Sequence, residues 1–145
     1  MGKYWKIIIV AFLTLTLLGG CSTTKPNAGE LGDQGLKLER EGKLDQAIEK
    51  YSQAIEVNPQ SLGFRLMRVN AYMTKGNFDS AIEDYTEIIR LFPEQYGATG
   101  YFERGRAYEA KGDNEHAIAD FEKAISLSSD SKFVKKVQQE LAKLK

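Results

Sequence analysis

The chain of 145 residues holds few side chains able to do chemistry, and their spacing excludes most of it. There is one histidine, His116, and one cysteine, Cys21. A lone cysteine forms no intramolecular disulfide, and one His with one Cys falls short of a metal cluster. Glu83 and Asp84 are adjacent, so on a helix they point in different directions and do not pair for acid–base work. Asp113-Asn114-Glu115 lacks the spacing and closing Glu of a calcium loop. Gly29, Gly32 and Gly35 follow no predicted strand and precede no GK[ST], so they are not a phosphate loop. His116 sits among charged residues at the start of a predicted helix and reads as an exposed surface residue. These residues predict no enzyme, no cofactor and no metal. Lys+Arg and Asp+Glu balance at 20 each, so no global field points to nucleic acid.

Cys21 is placed by what precedes it. Lys3 and Lys6 supply positive charge, and an apolar run follows from Ile7 to Leu18. Twelve helical residues span roughly 18 Å, short of a hydrocarbon core of about 30 Å, which suits a cleaved signal segment. The run closes in Leu17-Leu18-Gly19-Gly20-Cys21. This resembles the lipobox of bacterial lipoproteins. The resemblance implies cleavage after Gly20, a diacylglyceryl group on the Cys21 thiol and an acyl chain on its new amino terminus, and several chains anchor stably where one does not. Ser22 after the cysteine implies outer-membrane sorting in a two-membraned bacterium, or the outer face of a single membrane. The alternatives are a plain cleaved signal with an incidental cysteine and an uncleaved anchor. Residues 1–20 are thus read as the signal peptide and 21–28 as the lipidated cysteine with a polar, proline-containing tether. Seven tether residues reach about 23–25 Å at most, keeping the folded part near the membrane.

The remainder is organised by a recurrence. Tyr101, Gly105, Tyr108, Ala117, Phe121 and Ala124 fall at spacings that return earlier in the chain. The first occurrence has Gly35, Leu38, Ala47, Tyr51, Ala54 and Pro59; the second has Tyr72, Ala81, Tyr85, Ile88 and Pro93. Gly42, Gly76 and Gly112 stand at the predicted turns, and Ile48, Ile82 and Ile118 follow the three alanines. The pattern resembles the tetratricopeptide repeat, a helix–turn–helix unit of 34 residues. It implies an all-α fold of three tandem units, 28–61, 62–95 and 98–131, forming a right-handed α-solenoid. Tyr96 and Gly97 are an insertion before the third. Phe133, Val137, Leu141 and Leu144 recur at helical spacing, so 131–145 is predicted as a capping helix ending near Leu144.

Departures from the pattern carry their own expectations. Val69 stands where Gly is wanted, opposite Ala81, so the second helix pair is expected to cross wider. Ser129 replaces the closing proline and weakens that stop. Three glycines in the first helix, each costing about 1 kcal/mol against Ala, predict that it starts late and frays. The last segment holds Lys132, Lys135, Lys136, Lys143 and Lys145 against Glu140 alone. A solvated face favoured by the helix dipole explains such lysines; contact with anionic lipid or an acidic partner is the alternative.

The resemblance places ligand contacts on the concave surface lined by the first helix of each unit. Carried over, this groove comprises Leu36, Glu39, Leu66, Asn70, Met73, Phe102, Arg106 and Glu109. Leu36, Leu66, Met73 and Phe102 form its apolar strip, suited to a docked protein segment. Asn70 matches one position of the carboxylate clamp of some members, but Gly32 and Leu36 stand where Lys and Asn are needed. The chain is therefore expected to be a lipid-anchored adaptor of the bacterial cell envelope. Its partners would be envelope proteins and, through the lipid, the membrane, in support of a pilus, a secretion machine or cell-wall enzymes. A self-associating structural lipoprotein, a homo-oligomer, is the second reading.

Overall fold

The computed structural model describes residues 26–145. The signal segment, Cys21 and most of the tether lie outside the described residues. Among the described residues there are seven helices and no strand: α1 (Ala28–Arg40), α2 (Leu44–Val57), α3 (Leu62–Lys75), α4 (Phe78–Leu91), α5 (Pro93–Lys111), α6 (Asn114–Leu127) and α7 (Ser131–Leu141). Each packs chiefly on its neighbours in sequence, so the architecture is a solenoid of three hairpins closed by α7. None of the described helices is long and apolar enough to cross a membrane.

The three hairpin turns are built alike. Gly42, Gly76 and Gly112 have φ of 73°, 78° and 88°, the left-handed conformation that glycine adopts without a Cβ penalty. At the second turn Gly76 N donates to Met73 O at 3.1 Å and Asn77 N to Tyr72 O at 2.9 Å. The pattern returns at Gly112 and Asp113, which donate to Glu109 and Tyr108. Asn77 and Asp113 then cap the following helices by accepting from the amides of Ser80 and His116. His116 is exposed, bonded to Asp113 and stacked on Tyr108, as a surface residue should be.

Close approach explains the repeat glycines. A Cβ at Gly35 would lie 2.3 Å from the Tyr51 ring, and one at Gly105 would lie 2.7 Å from Phe121 and 3.2 Å from the Ala117 carbonyl oxygen. Both rings are fully buried. Where Val69 replaces glycine, opposite Tyr85, the backbones of α3 and α4 approach closely along less of their length than in the other hairpins. That is the wider crossing expected of a branched side chain at the contact.

Two polar ladders fasten one hairpin to the next. Arg68 grips Asp84 through Nε at 2.7 Å and Nη2 at 2.6 Å, and its Nη1 donates to Ser52 Oγ of the preceding hairpin at 2.9 Å. Arg104 repeats the arrangement with Asp120, at 2.8 Å through each nitrogen, and with Thr86 at 2.9 Å. Lys75–Asp45 and Lys111–Asp79 form the second ladder, nearer the turns.

Several expectations need correction. Helix α1 does not start late: it begins at Ala28 because Asn27 and Glu30 form a reciprocal capping box. Gly32 and Gly35 do not loosen it, since both are buried against Phe64 and Tyr51. The Tyr96-Gly97 insertion, to which the spacing assigned no element, lengthens a helix. Pro93 opens α5 at its first turn, Phe92 alone joins α4 to α5, and α5 reaches 19 residues. Helix α6 stops at Leu127 without a proline, because Asp130 caps α7 through the Lys132 amide at 2.9 Å. Helix α7 ends at Leu141, although Leu144 still packs on the third core cluster.

Gly105→Ala should therefore lower unfolding stability by about 1–3 kcal/mol, because ring and carbonyl must both yield. Gly63→Ala, whose Cβ meets nothing closer than 3.8 Å, should be neutral or stabilising in the same urea titration. Asp120→Ala, which strands Arg104, should cost about 3 kcal/mol, whereas Glu87→Ala at the exposed Arg90 pair should cost under about 1 kcal/mol.

Candidate functional site

The wall to which the resemblance assigns ligand contacts runs over α1, α3 and α5, and it can be built from the residues assigned to it. On α1, Leu36 is half-buried and Glu39 accepts a 2.6 Å hydrogen bond from the Tyr51 hydroxyl. Burial first, and then this carboxylate, push the Tyr51 hydroxyl pKa up, so it stays a proton donor. Glu39 is thus held by its own hairpin and is a constrained acceptor rather than a free charge. On α3, Leu66 and Met73 are half-buried and pack on the central cluster around Val69, Tyr85, Ile88 and Ala107. Asn70 lies between them and is exposed. On α5, Arg106 is exposed and pairs with Glu103 at 3.2 Å, and Glu109 is half-buried.

Phe102 is the exception. It is only 1% exposed, packed on Phe121 and Phe133 with centroids 5.7 Å away in each case. The positional rule that put it on the groove surface assumes open space beyond the third hairpin. Here α7 occupies that space, and Phe102 anchors it. The apolar strip is therefore shorter than expected: Leu66 and Met73 share one cluster, while Phe102 belongs to another.

Tyr85, buried behind the wall on α4, was not anticipated. The Tyr85 hydroxyl has its pKa raised by burial, with Glu103 and Tyr96 adding to the rise and Arg106 opposing it. Tyr85 thus feels the charges that α5 carries on Glu103 and Arg106 where α4 packs on it. The signal was present in sequence, since Tyr85 is the counterpart of Tyr51, but its partner position holds Met73 in place of Glu39. At the opposite end, a Cβ on Gly32 would lie 2.6 Å from the Phe64 ring. The position where a clamp would need lysine is closed by that ring.

Away from this wall, α5's first turns, Ile89, Tyr101, Lys123 and Leu127 border a surface cleft of about 380 Å³, a product of the insertion. None of the eight residues assigned to the groove lines it, although Tyr96 does. Among the described residues no group of His, Cys, Asp and Glu is placed to hold a metal ion. The arrangement offers apolar contact with hydrogen-bonding groups at the edges, which is chemistry for holding a chain segment.

The fold has clear counterparts. No curated protein matches the chain. Among solved structures, the first tetratricopeptide domain of Spaghetti (RPAP3), bound to the HSP90 peptide SRMEEVD, is 27% identical with a TM-score of 0.61, covering 80% of this chain and 94% of that one. The N-terminal domain of stress-induced protein-1 from C. elegans is 21% identical with a TM-score of 0.68, over 77% of this chain and 92% of that one. The type III secretion translocator chaperone SycD of Yersinia enterocolitica is 16% identical with a TM-score of 0.67, over 80% and 88%. A family profile described as tetratricopeptide repeat matches residues 33–96 and 66–132, spanning all three hairpins. With the glycine–aromatic crossings and left-handed turns in register, this chain belongs to the tetratricopeptide repeat family.

Proposed function

We propose that the protein is a lipid-anchored adaptor of the bacterial cell envelope that holds a segment of a partner protein in its concave groove. The observation that carries the groove is Asn70, exposed between half-buried Leu66 and Met73, with Arg106 and Glu109 on the facing helix. A short apolar floor with polar edges suits an extended or helical segment. A relative at 27% identity was solved with a bound peptide, which supports the same use of this wall. The anchor rests on the lipobox-like Leu17–Cys21 segment, with Cys21 as the acylated residue. The short tether keeps the groove within a few tens of ångströms of the membrane, so the partner is an envelope protein.

One observation weighs against the self-associating alternative. Both ladders stop inside the chain: Gln34 and Lys50 stand where later hairpins have Arg68 and Asp84, and Glu41 stands where they have Lys75 and Lys111. A second copy stacked beyond α6 would bring Glu41 toward Glu115, a meeting of like charges, at a seat α7 already fills.

The test is a crosslinked recovery from membranes, comparing the parent with Asn70→Trp, which blocks the groove at an exposed site, and Cys21→Ala, which removes the anchor. Defined envelope proteins should be recovered with the parent and lost with Asn70→Trp; equal recovery with both contradicts the groove. Phe102→Glu is unsuitable as a groove variant. It should detach α7 and lower stability by about 3–5 kcal/mol, read by thermal unfolding.

A further inference from the structure

The two long edges of the solenoid differ in character. Each hairpin folds back at its glycine turn, so Gly42, Gly76 and Gly112 mark one edge. The starts of α1, α3 and α5 and the ends of α2, α4 and α6 mark the other. The turn edge is ionic: Lys75 pairs with Asp45 and Lys111 with Asp79, the two carboxylates being 77% and 73% exposed. The opposite edge holds the exposed large hydrophobics found among the described residues, Val57 at 57% and Leu127 at 48%. Such residues need no explanation when scattered singly. These two are not scattered, because α2, α4 and α6 end at Val57, Leu91 and Leu127, one place in three hairpins. Leu91, in the middle, is half-buried.

The same edge receives the N-terminal end of the folded chain. Helix α1 begins at Ala28, so Cys21 lies at most about 25 Å of extended chain away. The third hairpin shows how a helix start meets a helix end at this edge. A Cβ on Gly97, early in α5, would lie 4.0 Å from Leu127 Cδ1 at the end of α6. The cleft of about 380 Å³ opens there, with Tyr96, Tyr101 and Lys123 in its lining. Tyrosine rings settle at a membrane–water interface, and a lysine stem lies along apolar surface while its ammonium stays in water. Charges near these helix ends are mixed, Glu56, Glu94 and Asp130 against Lys123 and Lys132. The edge therefore suits a bilayer surface through apolar and amphipathic contact, without an anionic field to draw it.

We propose that this edge lies on the phospholipid surface. Val57 and Leu127 enter the boundary between headgroups and acyl chains, Tyr96, Tyr101 and Lys123 sit at headgroup level, and the glycine turns point away. This rests on the lipid anchor proposed above and gives the anchored molecule an orientation. A tether alone holds the first hairpin near the membrane. Leu127 stands four helices beyond Val57, with neighbouring helices spaced about 8–10 Å apart, so its contact distinguishes docking from tethering. Docked in this way, α1, α3 and α5 rise from the membrane, and a segment in the groove crosses them near the headgroups.

Trp5 is the sole tryptophan and leaves with the signal segment in the anchored form, so one introduced tryptophan reports its own surroundings. The full chain is expressed with its signal, recovered from membranes and checked by mass for acyl groups on Cys21. It is then placed in phosphatidylcholine vesicles with or without bromine on the acyl chains, which quenches nearby tryptophan. Emission from Val57→Trp and from Leu127→Trp should fall at least about twofold in the brominated vesicles, because both side chains reach the acyl boundary. Emission from Asn114→Trp, on the turn edge of the third hairpin, should not change. Circular dichroism checks that each variant stays folded. Quenching at Val57→Trp alone means tethering without docking and overturns the proposal, as does quenching at Leu127→Trp alone, at none of the three or equally at all three. A blue shift of Leu127→Trp emission that grows with protein density, without quenching, assigns the edge to a second copy and also overturns it. A mass without acyl groups on Cys21 overturns the anchor reading, and the proposal falls with it; acylated protein that is not quenched overturns the docking alone.

Discussion

Everything in this molecule depends on how closely the two helices of a hairpin can approach. At Gly35 and Gly105 the backbone lies against the flat face of a buried aromatic ring, and no other residue leaves that space. The contact fixes the crossing point, and the crossing point fixes which faces look inward. Arg104–Asp120 joins the helices of the Gly105 crossing one residue earlier, and Arg68–Asp84 does the same in the Val69 hairpin, each at a separation of 16 residues. Each arginine also reaches the previous hairpin, so intra-hairpin geometry and inter-hairpin stacking are set by one side chain.

The groove follows from that stacking. Because α1, α3 and α5 are held side by side, their inner faces form one wall, and its chemistry varies along its length. The first hairpin closes its own acceptor, since Tyr51 holds Glu39 and Phe64 covers Gly32. The middle is apolar with Asn70 exposed. An array with identical hairpins would present a uniform wall. Here the exceptions at Gly32, Met73 and Phe102 give the groove two distinguishable ends, and so a direction for whatever lies in it.

Much of the fold was legible because three occurrences reinforce one another. The turns at Gly42, Gly76 and Gly112 follow from spacing alone, as does the wider crossing at Val69. The start of α1 was misjudged because glycine propensity was weighed and the Asn27–Glu30 capping box was not, though it stands in the sequence as Asn-x-x-Glu. The insertion was legible as two extra residues before the third unit, but not the element it falls in; Pro93, well suited to a first helical turn, places it in α5. Less of the groove was legible. Positional rules hold for a unit with another behind it, and they fail for Phe102, where the closing helix takes the place of solvent. The approach of Tyr85 to Glu103 and Arg106 depends on how α4 packs on α5, and no local pattern encodes it.

The central claim is that a partner segment lies along the wall of α1, α3 and α5. The most direct test is an amide NMR titration of the folded chain with SRMEEVD. The account predicts that the largest shifts fall at Leu66, Asn70, Met73, Arg106 and Glu109. Shifts confined to the cleft around Tyr101 and Leu127, or to the outer faces of α2, α4 and α6, would contradict it.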